Sequence, residues 1–171
     1  MLWLKPVLSV IDNISEWTGK IVSYLVIIVA LVILYEVISR TVFNVPTIWS
    51  QMSSAMAFGT FAVLGGAYAL RHGLHVKIDI LYGRFPLRIK AIIDVITFVL
   101  FLAFVLAMLW FGTSIAWKSL MLRELDTSTV WDFPIYPFKM IMALGAFLIL
   151  LQGVAKFTRD LITAITGRLA P

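Results

Sequence analysis

The segment with the most chemical potential is Arg71-His72-Gly73-Leu74-His75-Val76-Lys77-Ile78-Asp79. Two histidines and a carboxylate invite a metal or haem reading. Zinc requires three or four ligands, and a haem held between helices requires facing histidines from different spans. His72 and His75 are the only histidines and the chain has no cysteine, so the segment falls short of both. Lacking cysteine also excludes disulfides, thiolate nucleophiles and Cys-ligated zinc or iron-sulfur centres. A Ser/His/Asp set, a glycine-rich phosphate loop and a pair of intramembrane carboxylates are missing too. The expectation is a non-enzyme with no cofactor and no metal site of its own. Arg71, His75 and Asp79 then read as a structural motif, the last two sharing a face whether the segment is helical or extended.

Three other groupings carry polar or packing potential. Glu36 and Arg40 are one helical turn apart inside an apolar stretch, where an uncompensated charge is costly. They read either as a mutually satisfied pair or as a polar contact to a partner subunit. Ala55, Gly59, Ala62, Gly66 and Ala69 recur every three or four residues and form a small-residue stripe along which another helix can approach closely. That helix belongs either to this chain or to a separate subunit, with Trp49, Ser50, Gln51, Ser53 and Ser54 adding polar contacts at the stripe's start. The segment Arg123 to Asp132 is charged and aromatic-tipped. It is either a plain solvated connection or, with Asn44, Arg123, Glu124, Asp126 and Trp131 as candidates, a docking surface for a soluble protein. Lys90 with Asp94, and Lys139 alone, sit at span ends where snorkelling accounts for them.

The elements that must position these residues follow from composition. Of 171 residues, 61% are hydrophobic and only 13% charged, and the mean hydropathy is +1.00. Such a chain belongs in a bilayer, and its net charge of +5 reports orientation rather than nucleic-acid binding. Each helical crossing takes roughly 20 apolar residues, so four crossings exhaust the chain. No soluble catalytic or nucleotide-binding domain fits beside them. The expected fold is therefore all-α and integral to the membrane, one domain over residues 1–171. It comprises an amphipathic interfacial lead at 1–20, transmembrane helices at 21–43, 48–70, 91–117 and 138–155, and a tail at 156–171. In the lead, Trp3, Val7, Ile11, Ile14 and Trp17 oppose Lys5, Ser9, Asp12, Glu16 and Lys20. Because Glu36, Val37 and Ile38 follow the first apolar run where a cleavage site would need small residues, that run reads as a retained anchor. The third helix is expected to begin at Pro86 and run on to Leu122, about 55 Å at the α-helical rise. Ten Lys and Arg fall on the side of the termini and four on the other, which places both termini in the cytoplasm. Internal duplication of the kind that builds self-sufficient transporters is not apparent.

Two blocks add a resemblance. Glu36-Val-Ile-Ser-Arg-Thr-Val-Phe-Asn-Val-Pro-Thr-Ile-Trp49 contains Ser-Arg-x-x-x-Asn-x-Pro-x-x-Trp, and Leu64-Gly-Gly-Ala-Tyr-Ala-Leu-Arg71 leads into Gly73-Leu-His-Val-Lys-Ile-Asp79. Together they resemble the small membrane subunit, of the DctQ or SiaQ type, of tripartite ATP-independent periplasmic (TRAP) transporters. The family often carries acidic residues shortly after the tryptophan, whereas Ser50, Gln51 and Met52 stand here. The resemblance implies a non-catalytic scaffold in the bacterial inner membrane. Its partners would be a large elevator-type subunit that holds the substrate and sodium sites, a periplasmic substrate-binding protein that delivers organic anions, and membrane lipids. The competing classes are a self-contained proton-coupled exporter of the small multidrug-resistance kind and a cytochrome-like redox subunit.

Overall fold

A computed structural model describes residues 4–74, 86–127 and 132–166. Four long helices dominate it: α1 (Leu4–Val42), α2 (Ser50–Arg71), α3 (Leu87–Met121) and α4 (Tyr136–Thr166). All four are long and apolar enough to cross a membrane. Two-residue strands, β1 (Leu125–Asp126) and β2 (Phe133–Pro134), pair antiparallel between α3 and α4, opposing Leu125 to Pro134 and Asp126 to Phe133. An all-α expectation does not foresee this small ladder, whose two-residue strands are too short to register as a periodic signal.

Local chemistry sets the helix ends. Asn44 adopts a left-handed conformation (φ 55°) just after α1, and Pro46 follows. The turn is closed by Val45 donating its N–H to Ser39 O at 3.1 Å, while Ser39 Oγ donates to Val45 O at 2.6 Å. At the end of α2, Gly73 supplies φ 65°, and Leu74 donates its N–H to Ala69 O at 2.9 Å in a Schellman-type closure. The end of α3 uses the same device with Arg123 (φ 47°) in the position glycine usually takes, and Glu124 N–H reaches Ser119 O at 3.0 Å. Pro86 lies just before α3 with extended backbone (ψ 155°), so both expected ends of this helix are met within a residue.

Two boundaries differ from the sequence expectation. The lead is not a separate element, because α1 runs unbroken from Leu4 to Val42, about 58 Å at 1.5 Å per residue. The fourth helix likewise continues to Thr166, taking in much of what reads as a tail. In both places the apolar run ends within the helix, and polar residues continue it because neighbouring helices satisfy them.

Packing is sequential across the layer: α1 lies on α2, α2 on α4, and α4 on α3, with a lighter contact between α1 and α4. The outer helices expose most of their apolar side chains, including Ile27, Leu31 and Leu34 on α1 and Leu100, Phe104 and Trp110 on α3. Among the described residues, half of the buried apolar side chains are alanines: Ala67, Ala116, Ala143, Ala146 and Ala155. The helices therefore meet on small residues, several of which receive a single large side chain of the neighbour, rather than around a large side-chain core. A Cβ on Gly145 would fall within 3.2 Å of the Val63 backbone carbonyl carbon and closer still to its side chain, whereas one on Gly112 would meet nothing within 4 Å. Gly145→Ala should destabilise the chain by about 1–3 kcal/mol through overpacking. Gly112→Ala should leave it unchanged or more stable, by up to about 1 kcal/mol of helix propensity. Thermal unfolding in detergent checks the ordering.

Candidate functional site

Polar chemistry concentrates at the two ends of the helices. At the end that carries the α1–α2 turn, both carboxylate oxygens of Glu36 are engaged. Oε1 accepts from Nε and Nη2 of Arg40, and Oε2 accepts from Thr47 N–H at 3.0 Å and Ser50 Oγ at 2.9 Å. The buried Glu36 thus pins the turn and the first residue of α2 to α1. Tyr35 and Trp49 add a ring stack with centroids 6.0 Å apart. In the Ser-Arg-x-x-x-Asn-x-Pro-x-x-Trp block, Ser39, Arg40, Asn44 and Trp49 all build this turn. An open groove of about 530 Å³ runs beside it, lined by Ile33, Glu36, Val37, Arg40, Gln51 and Ser54 among others. The shielded Ser54 hydroxyl has no partner among the described residues.

The opposite end carries a larger network that joins three helices. Asp12 accepts from Arg159 (Nη2 to Oδ2, 2.6 Å) and from Gln152 Nε2 (2.9 Å), and Ser15 Oγ donates to Gln152 Oε1 at 2.8 Å. Gln152 and Ser15 are each only 1% exposed, so this polar contact lies wholly inside the protein. Arg71 donates from Nη1 to Asp12 O at 2.6 Å and to Glu16 Oε2 at 2.9 Å. His72 Nε2 lies 3.0 Å from the same Glu16 oxygen, and Lys20 lies 3.1 Å from the other. Gly19 admits the Tyr68 ring, which in turn packs on His72 with centroids 4.4 Å apart. Asp12, Ser15 and Glu16 of the amphipathic lead therefore turn into the protein, while Val10, Ile14, Trp17 and Ile21 point outward.

The α3–α4 seam is closed in the same manner. Lys156 bridges Asp94 of α3, at 3.2 Å, and Asp160 of its own helix. Nearby, the Phe98 and Phe157 rings stack with centroids 4.2 Å apart. At the other end of the seam Lys139 Nζ reaches Glu124 Oε2 at 2.6 Å, so this lysine is not alone at its span end. The Lys139 ammonium holds the Glu124 carboxyl below its usual range, leaving it ionised at neutral pH.

The sequence candidates are thereby sorted. Gly59 and Gly66 face Phe138 and Ile149 of α4, where an added Cβ would come within 2.9 Å of those side chains. At both positions the stripe packs on α4 of the same chain. Ala55 and Ala62 are exposed beside them, as is Gln51, and Ala69 is half-buried. Arg71 belongs to the Asp12 and Glu16 network, while His75, Asp79 and Trp131 lie outside the described residues. Asn44 and Arg123 are left-handed turn residues, Glu124 is engaged with Lys139, and Asp126 sits in β1. Sequence reasoning missed Asp12, Ser15, Gln152 and Arg159 as one constellation. The available signal was a glutamine and a nearby arginine following an apolar run, opposite an acidic turn more than a hundred residues away.

These features converge with the comparisons. The family model described as the DctQ component of tripartite ATP-independent periplasmic transporters matches residues 29–163. The chain belongs to the DctQ family. A curated relative, the sialic acid TRAP transporter permease protein SiaT of Haemophilus influenzae, is 34% identical over 95 residues, which are 56% of this chain and 15% of the relative. This DctQ component thus spans a small part of the relative it matches. Its family is a transporter component, in keeping with four apolar helices and a polar inventory spent on holding them together.

Removing Asp12 should expose how much that inventory contributes. Asp12→Ala leaves Arg159 and Gln152 without their acceptor and should cost roughly 2–3 kcal/mol. That figure lies below the value for a fully buried ion pair because the Asp12 and Arg159 side chains keep some solvent contact. Chemical unfolding of the purified chain, with Asp12→Asn as the milder comparison, checks it.

Proposed function

We propose that this chain is the small scaffold subunit of a sodium-coupled TRAP transporter in the bacterial inner membrane, with both termini cytoplasmic. It braces a large elevator-type subunit that holds the substrate and sodium sites. It also contributes to the outer surface that receives an organic-anion-loaded periplasmic binding protein. The observation that carries this reading is where the charges are spent. Asp12, Glu16, Glu36, Asp94, Glu124 and Asp160 are all engaged in ion pairs at helix ends. A translocation path needs polar groups presented to a cavity midway across the bilayer. Here the middle of the layer is built of alanine, glycine and aliphatic side chains, and apolar surfaces of α1 and α3 face outward. Such surfaces suit burial against lipid and a neighbouring membrane subunit.

Family membership and the state of Glu36 also weigh against a self-contained proton-coupled exporter. A proton-cycling carboxylate must be released from its partners during the cycle, and Glu36 is the anchor of the α1–α2 turn.

Reconstituted alone in liposomes, the chain should transport nothing. With the large subunit and a loaded binding protein it should support uptake driven by an inward sodium gradient. Radiolabelled uptake with and without each component is the measurement, and uptake by the isolated chain at the rate of the full complex would refute the scaffold reading.

A further inference from the structure

Every exposed position of α2 falls on one line. Gln51, Ala55, Phe58 and Ala62 are exposed, and at helical spacing the line runs on through Gly65 and Ala69, both half-buried. Lipid is a poor match for this line. α2 is the least apolar of the four spans, yet this chain buries it no better than α1, and hydrocarbon is best faced by the more apolar α1 and α3. Gly65 is a second mismatch. A glycine inside a helix gives up more conformational freedom than alanine, and at Gly59, Gly66 and Gly145 a neighbouring side chain takes the space released. Around a Cβ on Gly65 nothing of this chain lies within 4 Å. Gly112 of α3 is equally open, but its helical neighbours include Met108, Leu109 and Ile115, whereas those of Gly65 along the line are Ala62 and Ala69. Of the two sites, only the one on α2 lets another backbone come close.

Polar groups at the start of the line identify its occupant. Gln51, Ser54 and Arg40 line the groove between α1 and α2. The Ser54 hydroxyl is shut off from solvent with no partner among the described residues, and Gln51 is exposed. Arg40 commits Nε and Nη2 to Glu36, which leaves Nη1 open among the described residues. An acyl chain satisfies none of these groups, whereas a polar side chain on a helix seated along the line does. We propose that the line from Gln51 to Ala69 is the seat of a transmembrane helix of the large subunit, one that carries small residues opposite Ala62 and Gly65 and a hydrogen-bonding side chain level with Gln51. This rests on the reading of the chain as a TRAP small subunit. It divides the outward surfaces of that reading, giving the apolar faces of α1 and α3 to lipid and the open line of α2 to the partner. Phe58, 62% exposed between Ala55 and Ala62, is the large side chain that enters the partner's surface.

The test measures the affinity of the full chain for the purified large subunit in lipid nanodiscs. Gly65→Leu should weaken association at least tenfold, and Gln51→Leu, which keeps bulk but removes hydrogen bonding, about threefold. Gly112→Leu adds the same bulk to α3 and should stay within about twofold of wild type. Thermal midpoints of the isolated Gly65→Leu and Gly112→Leu chains should match wild type, because neither position faces this chain. Association unchanged in Gly65→Leu or in Gln51→Leu would overturn the proposal, as would a loss in Gly112→Leu equal to that in Gly65→Leu. A destabilised isolated Gly65→Leu chain would overturn it by showing that the line is internal. Self-association of the wild-type chain that Gly65→Leu abolishes, with affinity for the large subunit intact, would overturn it in favour of a second copy. A wild-type chain that does not bind the large subunit at all would instead overturn the functional reading beneath it.

Discussion

The structure depends on the cost of leaving a carboxylate unpaired next to lipid. A layer of four helices with outward apolar faces has little interior in which to hide charge, and hydrophobic driving force between helices is weak in a bilayer. The chain meets both constraints with the same residues. Glu36 closes the α1–α2 turn, Asp12 and Glu16 tie α1 to α2 and α4, Lys156 joins α4 to Asp94 of α3, and Glu124 with Lys139 closes the far end of that seam. Between these clamps the helices meet on glycine and alanine, with Phe138 seated on Gly59, Ile149 on Gly66 and Val63 on Gly145, while many other large apolar side chains point out.

This arrangement gives the amphipathic lead an inverted role. An amphipathic helix at a membrane surface ordinarily offers its polar face to water. In α1 the central carboxylates of that face, Asp12 and Glu16, are taken up by Arg71, His72, Gln152 and Arg159, and the apolar side with Trp17 is left outward. The first helix becomes one rod of 39 residues with its base fixed to two neighbours. A rod pinned at both ends is suited to resist bending, which is the physical content of the proposed scaffold role.

Much of this was legible in the sequence, for identifiable reasons. Four spans follow from uninterrupted apolar length, and the ends of α3 follow from Pro86 and the charged residues after Leu122. The pairing of Glu36 with Arg40 follows from their spacing. What the sequence could not supply is contact across distance. Asp12 and Arg159 are 147 residues apart, and nothing in local periodicity says that they meet. The small-residue stripe on α2 identified a packing surface but not its occupant, which proved at Gly59 and Gly66 to be α4 of the same chain. Lys139 read as a lone snorkelling side chain because Glu124 lies across a loop whose strands are too short to announce themselves.

The central claim is that the clamped layer stays fixed while the transporter works. The chain has no cysteine, so a spin-label pair introduced at the exposed Leu34 of α1 and Trp110 of α3, and attached before the complex is assembled, reports their separation without background from native thiols. The distance distribution should be measured in the reconstituted complex with and without sodium and substrate-loaded binding protein. The account predicts one narrow distribution that is the same in every condition. A second population, or a shift of several ångströms on adding substrate and sodium, would contradict it.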